Sequence, residues 1–237
     1  TTMKMRILFF IATTLATGIA VAQTTDEILE KHLSALGGCD KLKSIQTLVI
    51  EGKVSADGME IPVTMTIVHN RGMRMEYTVM GMDAWNVIRP DSGWTFMPFT
   101  GQTKPEPMPV DMIQQSQDQL DLSGQLCDLT AKGNAVEFLG MEDVEGTDCY
   151  KLKCLNPQGK LTYYLIDPQT NYLVKAVSKI KAEGREIDTE ISFGDYRKVE
   201  GDFVFAHSYE SGNGPMTVTR ILVNSPVAPE KLLLNSY

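Results

Sequence analysis

The sequence lacks the short motifs that carry common enzymatic chemistries. It has no HExxH zinc helix, no GxSxG nucleophile elbow and no glycine-rich phosphate loop. Its three histidines are isolated from one another. His32 is expected on the surface of the first helix, and His69 and His207 at strand ends as partly buried structural residues. Acidic pairs such as Asp188 and Glu190 fall on the polar side of a strand, where solvated carboxylates are commoner than a general acid and base. We therefore expect no catalytic residue and no enzymatic activity.

Basic charge is also scarce. The chain of 237 residues carries 22 Lys and Arg against 30 Asp and Glu. If the first 22 residues are removed, Lys4 and Arg6 are lost with no acidic residue, which leaves 20 basic residues against 30 acidic ones and a net charge of −10. A surface of this sign repels nucleic acid and gains nothing from an anionic membrane. No nucleic-acid partner is expected.

Long apolar runs are missing except near the N-terminus. Lys4 and Arg6 precede an apolar stretch over residues 7–19, which is shorter than the roughly 20 residues that a membrane span needs. Ala20-Val21-Ala22 then matches the small-x-small pattern that signal peptidase cuts after. The sequence predicts a signal peptide over residues 1–22, cleaved after Ala22, and a soluble periplasmic single domain over residues 23–237. A helix that stays uncut and anchors the chain in a membrane is the alternative.

Only four cysteines occur, and no two have the two-residue spacing of a zinc site, so no metal is expected. Cys149 and Cys154 fall in one predicted strand about 17 Å apart, too far for a disulfide. We expect buried free thiols. In the alternative with two disulfides, Cys39 and Cys127 each pair with one of these two residues.

The pattern of apolar residues predicts a mainly β (α+β) protein. A capping box at Thr24 and Glu27 opens a helix that ends at Gly37-Gly38. Apolar and polar residues then alternate strictly in residues 59–69, 73–79 and 186–193, which is typical of antiparallel sheets with one buried face. Further strands are expected near residues 45–54, 83–89, 93–97, 135–141, 148–155, 160–166, 172–180, 203–209 and 216–223. Between the two groups of strands, Pro98–Pro109 should be a sheet-free loop and residues 111–122 a short helix.

Methionine is concentrated in one part of the chain. Nine of the 13 methionines lie between residues 59 and 112. This flexible side chain suits surfaces that repack around varied apolar partners, although an ordinary core gives the same pattern. Two modest helices cannot easily cover one face of a sheet of about ten strands, so part of that face is expected to stay open to a ligand.

Four stretches together resemble a known family. They are EILEKHLSALGGCDKLKSIQTLVIEGKV, GWTFMPFTGQTKPEPM, GKLTYYLIDPQTNYLVKAV and the tail from DYRKVEGDFVFAHSYE to TVTRILVNSPV. In this order and spacing the chain resembles the periplasmic lipoprotein-carrier superfamily (LolA/LolB-like), nearest to proteins described as outer-membrane lipoprotein-sorting proteins. The resemblance implies a strongly curved antiparallel sheet forming an unclosed half-barrel, with two or three short helices in its mouth. It also implies binding of lipid or lipoprotein acyl chains without a cofactor. No lid residue of the family is matched here.

The leading hypothesis is a non-catalytic carrier of lipid or lipidated protein, monomeric, with an outer- or inner-membrane protein as a further partner. A cell-envelope assembly module that binds protein and no lipid is the second hypothesis, and an envelope hydrolase is the third. The residues expected to line an apolar cavity, each of which could equally belong to a plain core, are Ile61, Val63, Met65, Ile67, Met73, Met75, Tyr77, Trp94, Phe96, Phe193 and Phe205.

Overall fold

The computed structural model describes residues 24–182 and 185–233. The predicted signal peptide over residues 1–22 and the predicted turn at Glu183-Gly184 lie outside the described residues.

Thirteen strands form one antiparallel sheet. All of them except β6 correspond to strands expected from the sequence, three of them from the alternation of apolar and polar residues that places one face of a strand in the core. The strands are β1 (Thr47–Ala56), β2 (Met59–Val68), β3 (Gly72–Val79), β4 (Met82–Ile88), β5 (Gly93–Phe96), β6 (Glu106–Pro107), β7 (Ala135–Val144), β8 (Thr147–Leu155), β9 (Leu161–Ile166), β10 (Leu173–Ala182), β11 (Arg185–Val199), β12 (Phe203–Ser211) and β13 (Gly214–Val223).

The sheet consists of two meanders joined side by side. Its strand order is β6-β5-β4-β3-β2-β1-β13-β12-β11-β10-β9-β8-β7, so every neighbour is a chain neighbour except at the β1–β13 junction. Strands β6 and β7 are the two edges and do not pair with each other. The sheet is therefore strongly curved but not closed, as the resemblance implied.

Helices are few and short. The first, α1 (Thr25–Ala35), begins with the expected capping box: the Glu27 amide donates to Thr24 Oγ1 at 3.2 Å, and the Thr24 amide donates to Glu27 at 3.3 Å. It is followed by α2 (Cys39–Lys43), α3 (Val110–Gln115) and α4 (Leu129–Lys132). The helix expected over residues 111–122 is divided, because α3 ends at Gln115 and a 3-10 turn follows at Gln117–Leu120.

The proline-rich stretch differs from its prediction. It was expected to be free of sheet, yet it contains a 3-10 turn at Pro98–Thr100 and the short edge strand β6. A proline at a sheet edge removes no hydrogen bond when its missing N–H would face solvent, which is why Pro107 is tolerated in β6.

Three apolar clusters fill the space between the sheet and the segments that cross it. The largest gathers Leu48, Ile67, Met73 and Val218 of the sheet around Leu120. The second packs Ile28 and Leu29 of α1 against Leu152 and Ile166, and the third places Leu42 and Ile45 against Phe203. We call the sheet face that carries these clusters the inner face, and the opposite side the outer face.

Candidate functional site

The inner face carries nine of the eleven residues expected to line a cavity. Directly paired residues of antiparallel strands point to the same side of a sheet, so the register assigns each of them. In β2 and β3, Ile67 pairs with Met73, Met65 with Met75, and Val63 with Tyr77. Ile61 lies two residues before Val63 in β2 and therefore points to the same face. Phe193 in β11 pairs with Tyr209 in β12, and Phe205 lies four residues before Tyr209, so both phenylalanines are on the inner face.

Trp94 and Phe96 are not brought together with the other nine. Gly93 is the β5 residue that points to the inner face, and a Cβ atom on it would lie 2.9 Å from Ile113. Because side chains alternate along a strand, Trp94 and Phe96 fall on the outer face, paired with Val87 and Trp85. The rings of Trp85 and Phe96 lie 6.1 Å apart there.

Part of the inner face is packed solid. Val63, Ile67 and Met73 are buried. Residues 108–134 cross the inner face and are here called the crossing segment; its Leu120, Met108 and Leu122 pack in the cluster that contains Ile67 and Met73. Protein atoms therefore already cover the face around Ile67 and Met73.

The remaining part of the inner face is open. Ile187 and Ile191 are 43 % and 40 % exposed, although both have inner-face parity. The register links them across the sheet to half-buried apolar residues on five further strands. We call this set the open strip; it consists of Ile61, Val54, Met216, Tyr209, Phe193, Ile191, Ile187 and Ile180.

Aromatic contacts occur in the open strip and beside it. Phe193 and Tyr209 of the strip meet edge to face at 5.6 Å, and Tyr77, which lies outside the strip, meets Phe99 of the proline-rich stretch at 6.2 Å. Burial raises the pKa of the Tyr209 phenol to about 12, and burial likewise raises that of Tyr77, against a hydrogen bond with Asn86 that lowers it. These phenols are neutral at physiological pH, so the strip offers an uncharged surface.

A polar groove of about 1170 Å³ lies beside the crossing segment. Its walls come from residues 111–134, from the β2–β3 turn at His69 and Asn70, and from the β8–β9 turn at residues 156–160. Asp118 ties the segment to the β8–β9 turn through Lys160 at 2.7 Å and Asn156 at 3.2 Å. On the other side, the backbone N–H of Asn70 donates to the backbone carbonyl of Leu120 at 2.8 Å. The segment thus bridges both halves of the open sheet.

Asp121 is the most constrained acid of the groove. Lys132 lies 2.6 Å from its carboxylate, and the hydroxyl and amide of Ser123 donate to it at 2.7 and 3.0 Å. Burial alone would raise the pKa of Asp121, but the hydrogen bonds from Lys132 and Ser123 outweigh it and the pKa is lowered. Asp121 is therefore an anion fully engaged by its own neighbours.

A disulfide between Cys39 and Cys127 tethers the crossing segment to α2. The expectation of free thiols is therefore wrong for Cys39 and Cys127. The alternative, in which each of them pairs with Cys149 or Cys154, is also wrong, because Cys149 and Cys154 are free and buried. Burial raises the pKa of both free thiols, that of Cys154 to about 11, which disfavours the reactive thiolate form.

The histidines form no catalytic pair in the described part of the chain. His32 was expected on the surface but is 4 % exposed, because α1 packs it against the β9–β10 turn, where Nδ1 lies 2.8 Å from the Asn171 carbonyl. His207 Nδ1 contacts the Phe205 carbonyl at 3.0 Å, and His69 Nδ1 accepts from the Leu122 amide at 3.2 Å. Within the described residues, none of the three histidines forms a hydrogen bond with a hydroxyl or a thiol.

Among the residues that the structure describes, no group of three His, Cys, Asp or Glu side chains is placed to hold a metal ion. Within the same residues, no helix has the length and apolar character that crossing a bilayer would require.

Comparisons with known proteins support the fold. No protein-family model matches the chain, and no curated protein matches it. Among solved structures, a DUF1329 family protein from Desulfovibrio piger is 13 % identical with a TM-score of 0.53, covering 86 % of this chain and 96 % of that one. A protein described as an outer membrane lipoprotein-sorting domain from Vibrio parahaemolyticus is 12 % identical (TM-score 0.49, 87 % and 98 % covered). A LolA superfamily protein from Nitrosomonas europaea is 15 % identical (TM-score 0.48, 89 % and 97 % covered).

The chain shares its fold with the DUF1329 family protein. The strongly curved, unclosed antiparallel sheet that the resemblance implied is present in the structure. At these identities a shared fold carries no statement about function, which has to be argued from the site.

Sequence reasoning missed the polar groove. Its lining comes from segments far apart in the chain, from Lys43 to Ile180. The one local signal is the amide-rich run at residues 114–119, which a search for catalytic motifs passes over.

Proposed function

We propose that this protein is an exported, non-catalytic carrier that holds the acyl chains of a lipid or lipidated protein on the open strip. The observation that carries the proposal is the exposure of Ile187 and Ile191 on the same face of the sheet that elsewhere carries the core clusters. Exposed apolar side chains that continue a core mark a surface meant to be covered.

The energies are adequate for such a ligand. Transfer of one methylene group from water is worth about 0.8 kcal/mol, so a chain of about 16 carbons represents roughly 12 kcal/mol before the costs of binding. A shallow patch would capture little of this. The curvature of the sheet lets eight side chains on several strands contact one chain.

Two independent features support the proposed compartment. The N-terminal 22 residues have the pattern of a signal peptide, and the Cys39–Cys127 disulfide requires an oxidising environment to persist. Both support export to the periplasm.

The test uses protein purified without detergent. Native mass spectrometry followed by lipid extraction should find bound lipid, and the delipidated protein should take up a fluorescent fatty acid. Ile191→Glu places a carboxylate on the open strip and should weaken uptake at least about tenfold, since an unpaired charge is costly against hydrocarbon.

Leu155→Glu is the matched control. Leu155 is 42 % exposed, close to Ile191 at 40 %, but it pairs with Ala135 and Leu161 on the outer face. Its substitution should leave uptake unchanged. Repeated absence of lipid, with no uptake by the parent protein, would refute the proposal. A stoichiometric protein partner captured by a lipid-free protein would favour the assembly-module hypothesis instead.

A further inference from the structure

The two edges of the sheet differ in how well they are protected against a further strand. Strand β6 has two residues, and one of them is Pro107, which has no N–H to donate. Strand β7 has 10 residues and contains neither proline nor lysine, the residues that commonly protect an edge. The edge formed by β7 is therefore the longer and less protected template for pairing.

Only the first half of the β7 edge is capped. The backbone N–H of Phe138 donates to Thr25 Oγ1 at 3.1 Å, so the start of α1 closes the edge there. Among the described residues, no other group bonds the backbone of β7 from this side. Beyond a bulge that follows Phe138, residues 141–143 are all exposed. The second half of the edge is therefore open.

The register shows which backbone groups face the open side. Both residues of the β7–β8 turn have positive φ, 52° and 87°, so the flanking residues Val144 and Thr147 form a hydrogen-bonded pair. Hydrogen-bonded and non-bonded pairs alternate along antiparallel strands, so Asp143 and Met141 both belong to non-bonded pairs. The N–H and C=O groups of Asp143 and Met141 therefore point away from β8, toward the open edge.

The open half of the edge is acidic. Glu142 forms an ion pair with Lys151. Asp143 lies directly opposite Asp148 of β8, and within the described residues neither carboxylate has a basic side chain at ion-pair distance. Burial raises the pKa of the Cys149 thiol, and the charges of nearby aspartates, Asp143 and Asp148 among them, raise it further. Like charges that face each other destabilise a sheet, so a cation beside Asp143 would relieve this repulsion.

A second copy of this chain is a poor occupant of the edge. Strand β7 carries Glu137, Glu142 and Asp143 and no basic residue, so its pairing with itself brings only carboxylates together. The net charge of −10 expected after loss of residues 1–22 adds to this repulsion. A basic partner gains from the same charges. Met141, which is 50 % exposed, offers an apolar contact beside them.

We propose that residues 141–144 of β7 pair with an extended basic segment of a partner protein, which becomes a further strand of the sheet. Backbone hydrogen bonds to Met141 and Asp143 supply affinity, and lysine or arginine side chains beside Asp143 select the partner. The edge lies three strands from β10, where the open strip ends. This surface therefore goes beyond the proposed carrier function and leaves the strip free for its ligand.

Three labelled peptides test the pairing by fluorescence anisotropy with the exported protein. The parent probe is fluorescein-labelled Lys-Val-Thr-Val-Lys-Val-Lys-amide, which should bind. A peptide with glutamate in place of each lysine should bind at least about tenfold more weakly, because like charges then face the edge. A peptide with an N-methyl group on every valine and threonine keeps its side chains but loses donors. It should also bind at least about tenfold more weakly, since several backbone hydrogen bonds are lost together.

Variants of Asp143 separate its charge from its N–H. Asp143→Asn keeps the N–H and should weaken binding about threefold, with a smaller dependence on salt. Asp143→Pro also removes the N–H and should weaken binding about fivefold further. Proline suits this position because the lost N–H faces away from β8. Glu210→Gln is the matched control: Glu210 is exposed on β12, which is paired on both sides, and its loss should leave binding unchanged.

Failure of the parent peptide to bind, or equal binding of the lysine and glutamate peptides, would overturn the inference. Equal binding of the methylated and parent peptides would do the same, and this comparison decides alone if Asp143→Pro does not fold. A concentration-dependent dimer of the parent protein that Asp143→Asn strengthens would overturn it in favour of a second copy. Uptake of a fluorescent fatty acid should be unchanged in Asp143→Asn, so the carrier function is judged separately.

Discussion

The disulfide between Cys39 and Cys127 should contribute a large share of the stability of this protein. It closes a loop of 88 residues. The chain-entropy relation assigns such a cross-link about 4.6 kcal/mol at 25 °C, and measured losses for native disulfides run from about 2 to 5 kcal/mol. Cys39→Ala/Cys127→Ala should therefore lower the free energy of unfolding by about 2 to 5 kcal/mol. This loss corresponds to a fall of roughly 4 to 20 °C in the thermal midpoint.

Urea unfolding with and without a reducing agent measures this effect. The parent protein should lose stability when reduced, and Cys39→Ala/Cys127→Ala should be insensitive to reduction. Cys149→Ala/Cys154→Ala is the control: it loses packing at two buried sites but keeps the cross-link, so its stability should still fall on reduction. A loss below about 1 kcal/mol in the variant without the cross-link would refute the loop-entropy reasoning.

Three further predictions concern single residues. Burial lowers the pKa of His32, so as the pH falls the imidazole is protonated in the unfolded chain before it is protonated in the folded one. The free energy of unfolding should therefore decrease as the pH drops below 6.5, and the urea midpoint of His32→Gln should not show that decrease. The lowered pKa of Asp121 means that its contribution to stability is full above pH 3.8 and is lost as the pH falls through the pKa of the folded state, so Asp121→Asn should cost about 1–2 kcal/mol at pH 7 and progressively less as the pH falls below 3.8. Gly52→Ala should cost about 1–3 kcal/mol in thermal melts, because its Cβ would lie 2.5 Å from the Thr217 carbonyl, whereas Gly194→Ala, with its nearest contact at 3.8 Å, should be neutral.

Local patterns predicted most of the secondary structure. Alternation located the strands because a sheet with one buried face forces a period of two on its residues. Thr24 and Glu27 marked the start of α1 because a helix N-terminus needs acceptors within three residues.

The same patterns were ambiguous where both parities of a strand are apolar or small. In β5 the sequence GWTF does not say which parity faces inward, and the bulky Trp94 and Phe96 were expected inside. In the structure Ile113 and Met108 lie so close to Gly93 that only a residue without a side chain fits there. Gly93 therefore points inward, and Trp94 and Phe96 point outward. His32 was misplaced for a similar reason, because its burial depends on a turn 139 residues away.

The sequence by itself determined the antiparallel β architecture and the apolar face, since both depend on neighbours two to four residues apart. Only the tertiary structure decided which cysteines pair, which part of the inner face is covered and where the polar groove opens. These depend on contacts between segments separated by tens of residues, such as Asp118 with Lys160. Such contacts are selected by packing of the whole chain and leave no periodic signal in the sequence.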